Sequence, residues 1–224
     1  MAEGTSLEMP EYVIERVMQK RGRLRVFDQF DAAKTALVVI DMQKFYVDGL
    51  PSAISIIPAI NRLAENLRSR GGVVAWVSMT AGKGGKSLWP LYHDKFFHPE
   101  NGARHRDELT PGAKGHALHE ELDVRANDIF ASKSRFSAFF PGVCDLHEQL
   151  QERGIQHVAI TGVVTNFCCE TSARDAMMLD YQVAMISDSN AARYVEDHIN
   201  GFTTVFQSFG DVVSADEFLE DMLR

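Results

Sequence analysis

The sequence predicts an α/β fold in which a parallel sheet is covered on both faces by helices. Two observations predict it. The runs TALVVI (35–40), VVAWVSM (73–79) and HVAITGVV (157–164) are apolar throughout instead of alternating with polar residues. That is the pattern of strands buried on both faces. Between such runs lie segments with apolar residues at helical spacing, so strand and helix alternate along the chain. At 224 residues the chain can bury one sizeable core and is short for two full domains.

Residues 1–34 are charged and carry a helical stretch at EYVIERVMQKRG. They read as an arm preceding a domain of residues 35–224, and such an arm could rest on a neighbouring subunit. TALVVIDMQ is a strand ending in Asp41. IIPAINRLAENLRSRGG is a helix that stops at Gly71–Gly72. VVAWVSMT is the next strand, followed by a long polar loop to about residue 127. DIFASK is a strand ending in Lys133, and VCDLHEQLQERG is a helix closed by Gly154. HVAITGVV leads into a helix at TNFCCETSARDAMMLDYQ, and QVAMISDSNAA is a strand with a polar exit. INGFTTVFQSFG and ADEFLEDML are helices around a short strand near DVVS. No repeat, low-complexity tract or linker divides the domain.

With 23 Lys+Arg against 31 Asp+Glu, the formal charge is −8. That disfavours nucleic acid or an anionic membrane surface as partner. No apolar run approaches the ~20 residues that span a bilayer. The N-terminus lacks the apolar core of a signal peptide. The three cysteines, 144, 168 and 169, make a poor disulfide framework. A cytoplasmic protein is expected.

In sheets of this kind the ligand site lies beyond the carboxyl ends of the strands. Asp41, Lys133 and the Cys168–Cys169 pair all fall there. Singly, each has a bland reading: a turn former, a solvated lysine, a small buried hydrophobe. Jointly they make a chemical device. A free thiol with pKa ~8.5 is mostly protonated at neutral pH. A helix N-terminus and a neighbouring ammonium would favour the Cys168 thiolate. Asp41 would carry its proton to a leaving amine. Backbone N–H groups of the turn would stabilise an oxyanion.

Asp41 in LVVIDMQ, Lys133 in DIFASKSRFSAFF and the stretch GVVTNFCCETSARDA resemble the isochorismatase-like cysteine hydrolases. That family includes nicotinamidases, N-carbamoylsarcosine amidohydrolases and ureidoacrylate amidohydrolases. The resemblance covers roughly residues 35–224. It implies a three-layer α/β/α sandwich with a six-stranded parallel sheet, usually in an oligomer (dimer or tetramer), and an Asp41–Lys133–Cys168 triad. Cys168 is then the nucleophile and passes through a thioester or carbamoyl-enzyme. Cys169 falls where relatives carry a packing valine. The resemblance also implies a cis peptide at Val163–Val164, with the N–H groups of Val164 and Cys168 as oxyanion hole. Gln43, Arg135, Phe136 and Phe140 are candidate substrate contacts. KSRFSAFF is similar to the corresponding loop of the ureidoacrylate enzymes, where Arg135 could meet a carboxylate or ureido oxygen. Phe136, Phe139 and Phe140 could wall out water.

Two other patterns carry less. TAGKGGKS (80–87) approaches a phosphate-binding loop, but Thr80 replaces the first glycine and a proline stands where the helix should run. His93, His98 and His105 lack the D-x-H-x-x-x-H spacing of the metal-bearing relatives. They read as solvated, so neither metal nor other cofactor is expected. The expected function is hydrolysis of a C–N bond in a small amide, ureido or N-carbamoyl compound. An isochorismatase proper would cleave a vinyl ether and carry glycine in place of Cys168. An inactive binding or assembly module would be expected to lack a triad member. A dinucleotide oxidoreductase fails because no G-x-G-x-x-G follows the first strand.

Overall fold

The computed structural model describes residues 9–82 and 84–224. Its strands are β1 (Thr35–Ile40), β2 (Val73–Met79), β3 (Ile129–Lys133), β4 (His157–Val163), β5 (Gln182–Ala191) and β6 (Asp211–Val213). They form one six-stranded sheet in the order β3-β2-β1-β4-β5-β6, and every pairing is parallel. The helices are α1 (Glu11–Arg21), α2 (Lys44–Val47), α3 (Pro51–Ser55), α4 (Ile57–Ser69), α5 (Pro90–Lys95) and α6 (Pro99–Glu108). They continue with α7 (Leu146–Glu152), α8 (Glu170–Met178), α9 (Val195–Ser208) and α10 (Ala215–Glu217).

The continuous apolar strands follow from a sheet buried twice. Leu37 and Val39 of β1 pack with α4 through Ile60, Leu63 and Leu67. Their alternates Val38 and Ile40 join a second core with Leu146 of α7, Ala173 of α8 and Phe202 of α9. Successive residues of a strand point to opposite faces, so both sets must be apolar. The strand order reverses between β1 and β4. Chains leaving these two strands diverge, and a crevice opens beyond their carboxyl ends.

Three elements differ from the sequence reading. The stretch taken as one polar loop to residue 127 contains α5 and α6. Each begins with a proline at its first turn, where the missing N–H costs nothing and the fixed φ suits a helix. The proline in SLWPLYHD therefore starts a helix. Residues 1–8 of the arm lie outside the described residues, and the described part packs on the chain itself. Val13 and Val17 of α1 bury against Phe206 of the chain's own α9, and Lys20 Nζ donates to Gln207 O at 3.1 Å and Ser208 Oγ at 3.0 Å. Finally, the expected helix at TNFCC opens as a five-residue π turn, Thr165–Cys169, before α8. Such turns recur at functional sites. Among the described residues no helix is long and apolar enough to cross a membrane.

Candidate active site

Asp41 directly follows β1. Its N–H donates to Val77 O at 2.8 Å, and its φ of +54° lies in the left-handed region that aspartate enters more readily than most residues. Lys133 ends β3 in register with Met79 of β2. Two strand spacings, about 10 Å, separate β3 from β1, and the long lysine stem crosses them past Met79 Sδ at 3.8 Å. Cys168 lies in the π turn after β4. A Cβ on Gly162 would fall 2.1 Å from Ile40 O, and its φ is +110°. Only glycine lets the ends of β4 and β1 close up, which draws Cys168 towards Asp41.

The three side chains meet. Lys133 Nζ lies 2.7 Å from Asp41 Oδ2, 3.3 Å from Cys168 Sγ and 3.2 Å from Arg135 O. All three residues are buried, so the charge count decides their protonation. One ammonium balances one anion, and two acids compete for it. Burial pushes the Cys168 thiol up, and the neighbouring Asp41 charge pushes it further. Burial alone would lower the Lys133 ammonium, but Asp41 and Cys168 more than offset this and hold it above its ordinary value. Burial raises Asp41 as well, with Lys133 opposing. The resting cysteine is therefore a thiol. The ammonium that favours a thiolate is thus outweighed by burial and by the carboxylate sharing it, which leaves Asp41 to take the proton. Asp41 Oδ1 is buried without a hydrogen-bond partner.

These groups open on a cavity of about 340 Å³. Its walls are the rings of Phe45, Tyr46, Tyr92, Phe97, Phe136 and Phe167. Val164 and Cys168 line it near the triad, and Asn101, Arg104 and His105 supply its remaining polar surface. The Val163–Val164 peptide is cis. The turn is pinned from two sides. Ser172 Oγ donates to Cys168 O at 2.6 Å while accepting from Ala138 N at 2.9 Å. Thr165 Oγ1 bonds His198 Nδ1 at 2.8 Å. Cys169 is fully buried in the core beneath.

Of the four substrate contacts read from the sequence, Phe136 lines the cavity and the other three do not. Gln43 is a brace: its amide donates to Met79 O (3.0 Å) and His116 O (2.9 Å) and accepts from Met79 N (2.8 Å). Arg135 lies over the Trp89 ring at 4.9 Å and donates to Ser134 O and Leu88 O. Phe140 is half exposed. Phe139 is buried in the core.

The residues that sequence reasoning missed come mostly from α5 and α6: Tyr92, Phe97, Asn101, Arg104 and His105. Their signal was the pair of prolines, Pro90 and Pro99, that open the two helices on either side of Phe96–Phe97. His93 and His105 are buried, not solvated, while His98 is exposed. Burial pushes His105 down to about 4 and lowers His93 as well. Among the described residues, no group of three or more His, Cys, Asp or Glu is arranged to hold a metal ion.

Comparison with known proteins gives the same picture. The isochorismatase domain family matches residues 35–217. A protein of Arabidopsis thaliana named probable inactive nicotinamidase is 33% identical over 171 residues, 73% of this chain and 84% of its own. The ureidoacrylate amidohydrolase RutB of Variovorax paradoxus is 31% identical over 183 residues, 70% of this chain and 69% of its own. The crystal structure of a cysteine hydrolase from Pseudomonas syringae pv. phaseolicola superposes with a TM-score of 0.78 at 25% identity. It covers 89% of this chain and 96% of that one. A match of this extent, on a shared fold, means that the chain belongs to the isochorismatase family of hydrolases.

Proposed function

We propose that the protein is a cysteine-dependent hydrolase of a C–N bond in a small amide, ureido or N-carbamoyl compound. The observation that carries this reading is the contact of Lys133 Nζ with both Asp41 Oδ2 and Cys168 Sγ at the floor of an aromatic cavity. Asp41 takes the thiol proton as Sγ attacks the substrate carbonyl carbon, so the anion moves from carboxylate to thiolate beside the same ammonium. The N–H groups of Val164 and Cys168 receive the oxyanion. Asp41 then protonates the leaving nitrogen, and the C–N bond breaks to leave a thioester or carbamoyl-enzyme. Water, deprotonated by Asp41, attacks that carbonyl, and Sγ leaves to recover the proton.

The cavity is at the small end for ligand sites, which supports a small planar substrate. Arg104, at the mouth over the Phe45 ring at 5.7 Å, forms no ion pair among the described residues and suits an anionic tail. It takes the role that the sequence reading assigned to Arg135. The name of the RutB relative supports the ureido class. Cys168 argues against vinyl ether cleavage. The presence of Asp41, Lys133 and Cys168 in one contact group argues against the inactive module.

The test is an ammonia-release screen across amides, ureides, biuret-like compounds and N-carbamoyl amino acids, with Cys168→Ala as blank. A substrate turned over by the wild type and not by the blank is expected. Equal turnover by both, or none by either across the panel, would reject the reading.

A further inference from the structure

One wall of the cavity is a chain of hydrogen bonds whose direction is forced from its far end. His93 Nδ1 lies 2.9 Å from Trp89 O. A carbonyl only accepts, so Nδ1 carries the hydrogen. With the ring neutral, His93 Nε2 must accept, and it lies 3.0 Å from His105 Nδ1. His105 therefore donates from Nδ1 and accepts at Nε2, where Tyr46 Oη approaches to 3.1 Å. The Tyr46 hydroxyl hydrogen is spent on His105. Both histidines are buried, and His105 is packed among the rings of Phe45 and Phe97, surroundings that disfavour a second proton on it.

Tyr46 and His105 line the same cavity as Asp41 and Cys168. A phenol usually presents either a donor or an acceptor. Here the donor is tied up, and the oxygen keeps only lone pairs for the cavity. The wall is thus matched to a ligand bearing N–H groups.

We propose that Tyr46 orients the substrate by accepting a hydrogen bond from a substrate N–H, its own proton held away by the His105–His93–Trp89 carbonyl chain. This rests on the amide and ureido reading and deepens it: the preferred substrates carry at least one N–H beside the scissile carbonyl, and N,N-disubstituted analogues are rejected.

The inference can be tested without knowing the substrate. The full chain is treated with 2-iodoacetamide or its N,N-dimethyl analogue, and the rate of alkylation at Cys168 is followed by peptide mass spectrometry. In that step the Sγ–C bond forms, the C–I bond breaks with its electron pair leaving as iodide, and the thiol proton passes to Asp41 and then water. Each rate is divided by that of glutathione, which removes the reagents' intrinsic reactivity. Wild type should favour the N–H reagent by about 3- to 10-fold beyond glutathione, the worth of one hydrogen bond. Tyr46→Phe should abolish that preference, and His105→Leu should reduce it by freeing the Tyr46 proton to turn inward.

A preference retained by folded Tyr46→Phe would be one of bulk alone and would overturn the inference. A wild-type preference no greater than glutathione's would do the same, without any variant. No alkylation of Cys168 by either reagent would overturn it together with the nucleophile assignment. The expected preference in an enzyme that fails the ammonia screen would keep the Tyr46 contact and reject the hydrolase.

Discussion

Two ion clusters, one fully buried and one partly, occupy opposite ends of the sheet, and they are finished differently. At the amino ends, Asp128 beside β3 accepts from Arg68 Nε (3.0 Å) and Nη2 (2.6 Å), from the Trp76 indole (2.7 Å) and from Arg125 N (2.8 Å). Both carboxylate oxygens are satisfied. At the carboxyl ends, Asp41 accepts from Lys133 through Oδ2 and leaves Oδ1 without a partner. A saturated network fixes structure, and its value is lost only when a partner is removed. An unsaturated one carries a standing cost that a ligand can relieve. The difference in saturation goes with one in burial, complete at Asp41 and Lys133 and partial at Arg68 and Asp128.

The comparison can be broken most directly at Cys168. Cys168→Ala should lower turnover at least ~10³-fold, the usual loss of a covalent nucleophile, while the melting temperature stays within a few degrees. A folded variant with measurable wild-type kinetics would end the assignment. Asp41→Asn and Lys133→Ala should each cut kcat by at least ~10²-fold, with KM affected less. Near-normal kcat in either removes that residue from the proton path.

At the other end, with Asp123 still paired to Arg68 at 2.9 Å, Asp128→Ala should cost about 1–3 kcal/mol of folding stability by leaving the Trp76 indole and part of the Arg68 fork without an acceptor. Its kcat per folded molecule should stay within about twofold. A kcat loss matching that of Asp41→Asn would erase the contrast between the clusters.

The cavity wall adds a pH signature. His105 is lowered from 6.5 to about 4 in the folded chain. Between those values the unfolded chain binds the proton that the folded one refuses, so stability is full above about 6.5 and falls as pH drops towards 4. The loss approaches about 3 kcal/mol. Urea midpoints of wild type and His105→Leu across that window should diverge; parallel curves would sink the claim. The smallest effects are expected at Cys169, where Cys169→Val should change kcat by less than about twofold, and on exhaustive chelation, which should leave activity intact. Zinc- or iron-restored activity after EDTA would contradict the latter.

The elements most legible in the sequence were those with a continuous apolar run or stripe. β1 and β4 read as strands because every residue is inside, and α4 because one stripe is. Asp41, Lys133 and Cys168 were legible because a parallel sheet brings strand ends to one edge, wherever the strands stand in order. Arg135 and Arg104 show where that logic stops. Arg135 follows β3 in a loop and spends its guanidinium on Trp89 and two carbonyls, while Arg104 stands within α6 and lines the cavity. Nothing in their flanking residues separates them.

By itself, then, the sequence determined the α/β class and the strand ends at which Asp41, Lys133 and Cys168 stand. These follow from local periodicity and from motifs contiguous in the chain. Tertiary structure alone decided the protonation of Cys168, the burial of His93 and His105 and the lining of the cavity by α5 and α6. Each depends on which charges and rings share one dry volume, and segments distant in the chain supply them. Desolvation and Coulomb coupling act through space, so no reading along the chain contains them.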